Sequence, residues 1–61
     1  MTKEQINELL NNNGIATYRS GVTCAVFVDY FKTRDFDMVH SFLEKHNLVE
    51  CPCTEAVSYD G

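Results

Sequence analysis

The sequence predicts an α+β fold in which two helices cover one face of a small antiparallel sheet of two or three strands, in the order α-β-β-α-β. Apolar residues recur at helical spacing in two separate segments, and the stretch between them is rich in valine and alternates in polarity. Glycine or asparagine follows each helical segment, as is usual where helices end. With 61 residues, the chain is long enough for one domain, predicted over 1–61.

The first helix is predicted over residues 3–12. Thr2 and Gln5 have the spacing of a capping box, in which the threonine side chain accepts the amide of residue 5 and Gln5 reaches back to the amide of Thr2. The apolar stripe of this helix consists of Ile6, Leu9 and Leu10. We expect the helix to end before Gly14, because glycine tolerates the left-handed conformation of a helix cap.

Two strands are predicted over 15–19 and 22–30, joined by a two-residue turn at Ser20 and Gly21. This turn pairs Arg19 with Val22, Thr17 with Cys24 and Ile15 with Val26. Side chains alternate between the two faces of a strand. The more apolar face, predicted to be the core face, carries Ile15, Thr17, Val22, Cys24, Val26, Val28 and Tyr30. The opposite face carries Ala16, Tyr18, Thr23, Ala25, Phe27 and Asp29.

The second helix is predicted over 34–46, with Thr33 as its N-cap and Asn47 in the left-handed cap position. Its buried stripe consists of Phe36, Val39, Phe42 and Leu43. A further short strand is predicted at about 56–59. Pro52 cannot donate a ladder hydrogen bond, so any strand beside it is short or lies at a sheet edge.

Charged residues are scattered and mostly acidic. Nine Asp and Glu residues outnumber five Lys and Arg residues, which gives a net charge of −4. Proteins that bind nucleic acid cluster lysine and arginine against phosphates, so direct nucleic-acid binding is not expected. No apolar run approaches the about 20 residues that span a bilayer, and the amino-terminal segment lacks an apolar signal core. We therefore expect no membrane partner and a cytoplasmic location.

No residues have the pattern of a catalytic centre. Nucleophilic catalysis needs a nucleophile, a base and an orienting group held together, and Cys24, His40 and His46 supply only the residue types. The predicted hairpin also points Cys24 into the core, where a thiol is unreactive. No glycine-rich phosphate loop is present. The sequence predicts a protein that is not an enzyme and uses no cofactor.

Cys51 and Cys53 are the most conspicuous chemical feature, separated only by Pro52. Two thiolates this close can chelate zinc if His46, His40 or Cys24 supply the two further ligands, or can form a strained, redox-active disulfide. Free cysteine often packs as a small apolar residue instead. Metal binding or thiol redox chemistry at Cys51 and Cys53 is therefore an alternative function.

Aromatic residues on the open sheet face indicate an interface. Tyr18 and Phe27 lie close together in the predicted hairpin, and Tyr59 can join them if the last strand pairs suitably. We expect these residues to bind a protein partner, as an inhibitor or regulator does, through the open face or a strand edge. A small sheet with free edges also favours a homodimer. A third alternative is an acidic mimic of nucleic acid that blocks a DNA- or RNA-binding protein.

Overall fold

The structure is a computed structural model that describes residues 1–60 of the chain. It contains two helices and four strands. In chain order these are α1 (Lys3–Asn12), β1 (Thr17–Arg19), β2 (Val26–Val28), α2 (Phe36–Lys45), β3 (Leu48–Glu50) and β4 (Val57–Tyr59). All neighbouring strands are antiparallel, in the order β1-β2-β4-β3. The predicted α+β class is confirmed, but the sheet has four strands rather than two or three.

Both ends of α1 have the predicted caps. The amide of Gln5 donates to the Thr2 hydroxyl oxygen at 3.1 Å, and the amide of Thr2 donates to the Gln5 side-chain oxygen at 2.8 Å. At the other end Gly14 has a φ of 79°. The amide of Ile15 donates a hydrogen bond to the carbonyl of Leu10 at 3.0 Å, which completes a Schellman motif. Local sequence therefore sets where this helix begins and ends.

The predicted two-residue hairpin turn is wrong. Arg19 pairs with Val26, so six residues, 20–25, form the loop between β1 and β2. The Ser20 hydroxyl accepts the amides of Val22 and Thr23, both at 3.3 Å, and this local turn replaces strand pairing. The pairing register differs from the prediction by four residues. Because four is even, Thr17, Val26 and Val28 share one face as predicted, and Tyr18 and Phe27 share the other. Val22 and Cys24 do not face the core as predicted, because they lie in the loop and are exposed.

Thr33 is not the N-cap of α2. The helix begins at Phe36, two residues later than predicted, and the Asp35 carboxylate caps it by accepting the amide of Met38 at 3.0 Å. Thr33 is buried instead, and its hydroxyl accepts the amide of Ala16 at 2.7 Å. It thereby anchors the segment before α2 to the start of β1. The left-handed Asn47, with a φ of 57°, follows α2 as predicted.

The strand that the sequence analysis missed is β3. It lies at one edge of the sheet beside β4, and the turn that follows it contains Pro52, in agreement with the edge position expected from proline. The other edge strand is β1. Each edge strand has only three residues, which limits the backbone that is open to further pairing.

The two halves of the chain repeat one plan, a helix followed by a hairpin. The central strands β2 and β4 pair through Val26 and Val57, which hold the same place in their hairpins, so the sheet has a local pseudo-twofold axis. Both loops have one residue at positive φ, Cys24 at 58° and Glu55 at 61°. The same short pattern, Thr-x-Ala-Val-x-x-Asp, begins at Thr23 and recurs 31 residues later.

One apolar core joins both helices to one face of the sheet. It consists of Ile6, Leu10, Ile15, Val26, Val28, Val39, Leu43, Leu48 and Val57. The helices contribute four of these side chains and the strands another four, which places α1 and α2 on the same side as predicted. Within residues 1–60 neither helix is long and apolar enough to cross a membrane.

Candidate interaction surfaces

The open face of the sheet carries a stacked aromatic pair. The rings of Tyr18 and Phe27 lie on paired residues of β1 and β2, with centroids 5.1 Å apart and planes 14° apart. Tyr18 is 55% exposed and Phe27 is partly buried. Stacking of this kind fixes both rings before any partner arrives, so little side-chain entropy is left to lose on binding.

The missed strand adds to the same face. Val49 of β3 pairs with Ser58 of β4, and both face away from the core because their neighbours Leu48 and Val57 are buried. Val49 is 43% exposed. We use the name open face for Tyr18, Phe27, Val49 and Ser58.

Tyr59 lies on the other side of the sheet. It is two residues from the buried Val57 and pairs with the buried Leu48, so strand alternation turns it toward the helices. There it lines a shallow hollow together with Gln5 and Leu9 of α1. The structure therefore brings Tyr18 and Phe27 together but does not bring Tyr59 to them.

A second surface joins aromatic and acidic side chains near the amino-terminal end of α2. The Tyr30 and Phe36 rings meet edge to face, with centroids 5.3 Å apart, and the Tyr30 hydroxyl donates to Glu50 at 2.8 Å. Burial, and then the bond to Glu50, raise the pKa of the Tyr30 phenol. We call this surface the acidic aromatic groove. It is lined by Tyr30, Phe36, His40, Glu50, Cys51, Pro52 and Glu55.

A neighbouring hollow connects the groove to the open face. It shares Tyr30 and Glu55 with the groove and reaches Tyr18 and the almost fully exposed Phe31. The sequence does not predict the groove because it does not predict β3, which holds Glu50. Tyr30 packs against the core, as predicted, and its hydroxyl reaches Glu50. The recurring Thr-x-Ala-Val pattern was the available signal for the second hairpin.

Cys51 occupies the loop position that Ser20 occupies in the first hairpin. The amide of Ser20 donates to Ala25 at 3.0 Å, and the amide of Cys51 donates to Ala56 at 2.8 Å. Backbone hydrogen bonding from Cys53, followed by the side chain and the backbone of Thr54, lowers the pKa of the Cys51 thiol. This environment favours the thiolate, which is the nucleophilic form of cysteine.

The predicted metal ligands do not form a site. Residues 1–60 hold no group of three or more His, Cys, Asp or Glu side chains placed to bind one metal ion. His46 is the C-cap of α2 and packs against Phe42, with ring centroids 4.3 Å apart. All three cysteines are free thiols.

Comparison of the chain with protein-family models, curated proteins and solved structures gave no match.

Proposed function

We propose that this protein is a small interaction module, without enzymatic activity, that inhibits or regulates a larger protein in the cytoplasm. The open face is its main binding surface. The observation that carries the proposal is the stacked pair of Tyr18 and Phe27, exposed on the sheet side that no helix covers. Large aromatic side chains contribute much of the binding energy at protein interfaces, and tyrosine is enriched among the residues that contribute most.

The sheet edges offer a second means of contact. Strands β1 and β3 leave backbone groups open to a partner strand, although each is short. A second copy of the chain could also cover the open face. Sedimentation velocity over a range of protein concentrations distinguishes self-association from binding to a different protein.

The test is replacement of both aromatic residues by serine, Tyr18→Ser with Phe27→Ser. We expect the double variant to bind the partner about tenfold or more weakly, because two buried aromatic anchors are lost. The protein is used as bait in an extract of the source organism, and captured proteins are quantified by mass spectrometry and then by titration. Circular dichroism and the midpoint of thermal unfolding verify that the variant folds.

Tyr59→Ser is the matched control, since it removes an exposed aromatic ring from the helix side of the sheet. The Tyr59→Ser variant should bind the same partner with the same affinity as the wild type. The proposal fails if the folded double variant captures the same proteins with the same affinity as the wild type.

A second candidate function is thiol redox chemistry at Cys51, with Cys53 as the neighbouring thiol. The lowered pKa of Cys51 favours it. In this chemistry the Cys51 thiolate attacks one sulfur of a small disulfide, forms a mixed disulfide and releases the other half as a thiolate. The Cys53 thiolate can then attack the Cys51 sulfur of the mixed disulfide, which forms a Cys51–Cys53 disulfide and releases the second half as a thiolate.

Measurement of alkylation rates against pH tests this candidate. We expect Cys51 to react with a midpoint below about 8.5, the ordinary value for a cysteine thiol. Thr54→Val should raise that midpoint, because it removes a hydroxyl that stabilises the thiolate. Thr23→Val makes the same change in the first loop and should leave Cys51 unaltered. An ordinary midpoint for Cys51 in the wild type would remove this candidate.

A further inference from the structure

We infer that the acidic aromatic groove binds an arginine-bearing, basic segment of the protein partner. The inference rests on the proposed interaction function and names the chemistry of the partner. In this inference the open face contacts an apolar part of the partner, and the groove binds a cationic part of the partner.

The walls of the groove suit a guanidinium group. Phe36 is 53% exposed, and the Tyr30 ring is held against it by the edge-to-face contact and by the hydroxyl bond to Glu50. Cations lie favourably over aromatic faces, and arginine does so more often than lysine because its planar group also stacks. Both rings are in place without a ligand, so a cation does not have to order them.

Two carboxylates supply the negative charge. Glu50 accepts the Tyr30 hydroxyl through one oxygen, and a carboxylate has further acceptor positions that a guanidinium can use. Glu55, on the loop between β3 and β4, also lines the groove. Burial is the main cause of the raised pKa of the Tyr30 phenol, and the nearby carboxylates of Glu50 and Glu55 add to it.

Within residues 1–60, no lysine or arginine forms an ion pair with Glu50 or Glu55. Lys3 donates to the carbonyl of Thr23 at 2.9 Å, and Arg19 contacts the carbonyl of Cys24 and the carboxylate of Glu4, all around the first hairpin loop. In the described part of the chain, neither the groove nor the neighbouring hollow is lined by lysine or arginine. With a net charge of −4, the surface is left for a cation from outside.

The groove is continuous with the open face. Tyr30 and Glu55 belong to both the groove and the hollow that reaches Tyr18. A single partner can therefore rest an apolar surface on Tyr18 and place an arginine between Phe36 and Glu50.

The probe is a short peptide, acetyl-Gly-Arg-Gly-Arg-Gly-amide, titrated into the ¹⁵N-labelled full chain. We expect amide shifts to concentrate at Tyr30, Phe36, Glu50 and Glu55. The same peptide with citrulline in place of arginine keeps the shape and loses the charge. It should bind about five- to tenfold more weakly, because partly exposed ion pairs contribute modestly.

The matched variants separate a local site from the overall charge. Glu50→Gln with Glu55→Gln should weaken binding of the arginine peptide by about five- to tenfold. Glu8→Gln with Glu44→Gln makes the same change in net charge outside the groove and should alter binding less than about twofold, as expected for distant, screened charges. Equal weakening by the two pairs, or equal binding of the citrulline peptide, overturns the inference.

Capture of the natural partner distinguishes this inference from the proposed function. If the Glu50→Gln and Glu55→Gln variant keeps the partner at full affinity while the Tyr18→Ser and Phe27→Ser variant loses it, the groove inference fails and the proposed function stands. If both variants bind the partner at full affinity, the groove inference and the proposed function both fail. Loss of affinity in both supports a partner that covers the two surfaces together.

Discussion

Replacement of Leu10 by alanine should leave the protein largely unfolded at 25 °C. Leu10 has no exposed surface and lies at the centre of the core between α1 and the sheet. Truncation of a buried leucine costs about 2–5 kcal/mol, through lost burial and the cavity that remains. A core in a domain this small rarely provides more than about 3–5 kcal/mol in total, so the loss is comparable to the whole stability.

Leu9→Ala is the control, because it makes the same chemical change one residue away on the same helix. Leu9 is only partly buried at the margin of the core, and its truncation should cost about 1 kcal/mol. Urea unfolding followed by circular dichroism measures both variants. Equal destabilisation by the two substitutions would contradict the described orientation of α1.

Thr33→Val should destabilise the domain by about 1–3 kcal/mol, although valine and threonine have nearly the same shape. Thr33 is buried, and its hydroxyl is the acceptor for the amide of Ala16 at 2.7 Å. Valine leaves that amide without an acceptor. Thr33→Ser keeps the acceptor and should cost roughly one buried methyl group, about 0.8 kcal/mol.

Hydrogen exchange provides the direct reading of this bond. The amide of Ala16 should exchange faster in Thr33→Val than in Thr33→Ser, after correction for global stability. Unchanged protection of Ala16 in the valine variant would show that the threonine hydroxyl does not hold β1 to the segment before α2.

The two helices could be predicted from the sequence because their signals are local. The Thr2 and Gln5 capping box, Gly14 and Asn47 each act within a few residues, and the structure has all of them. The start of α2 was misplaced because Thr33 and Asp35 are both good N-caps. A long-range hydrogen bond from Ala16 engages Thr33, and no local pattern contains that information.

The strands were harder to predict because their register depends on the loops. Ser20 and Gly21 resemble the two residues of a tight turn. In the structure the Ser20 hydroxyl accepts hydrogen bonds from two amides, and the loop has six residues. The faces of Tyr18 and Phe27 were still correct, since the register differed by an even number of residues. The acidic aromatic groove could not be predicted without β3, whose pairing with β4 brings Glu50 to Tyr30.

The central claim is that the open face around Phe27 contacts a protein partner. Site-specific photocrosslinking in cells of the source organism tests it most directly, with p-benzoylphenylalanine placed at Phe27 or, as the control, at Tyr59. We expect a discrete crosslinked protein from position 27, and little from position 59 on the helix side. A crosslink from position 59 with none from position 27 would contradict the claim.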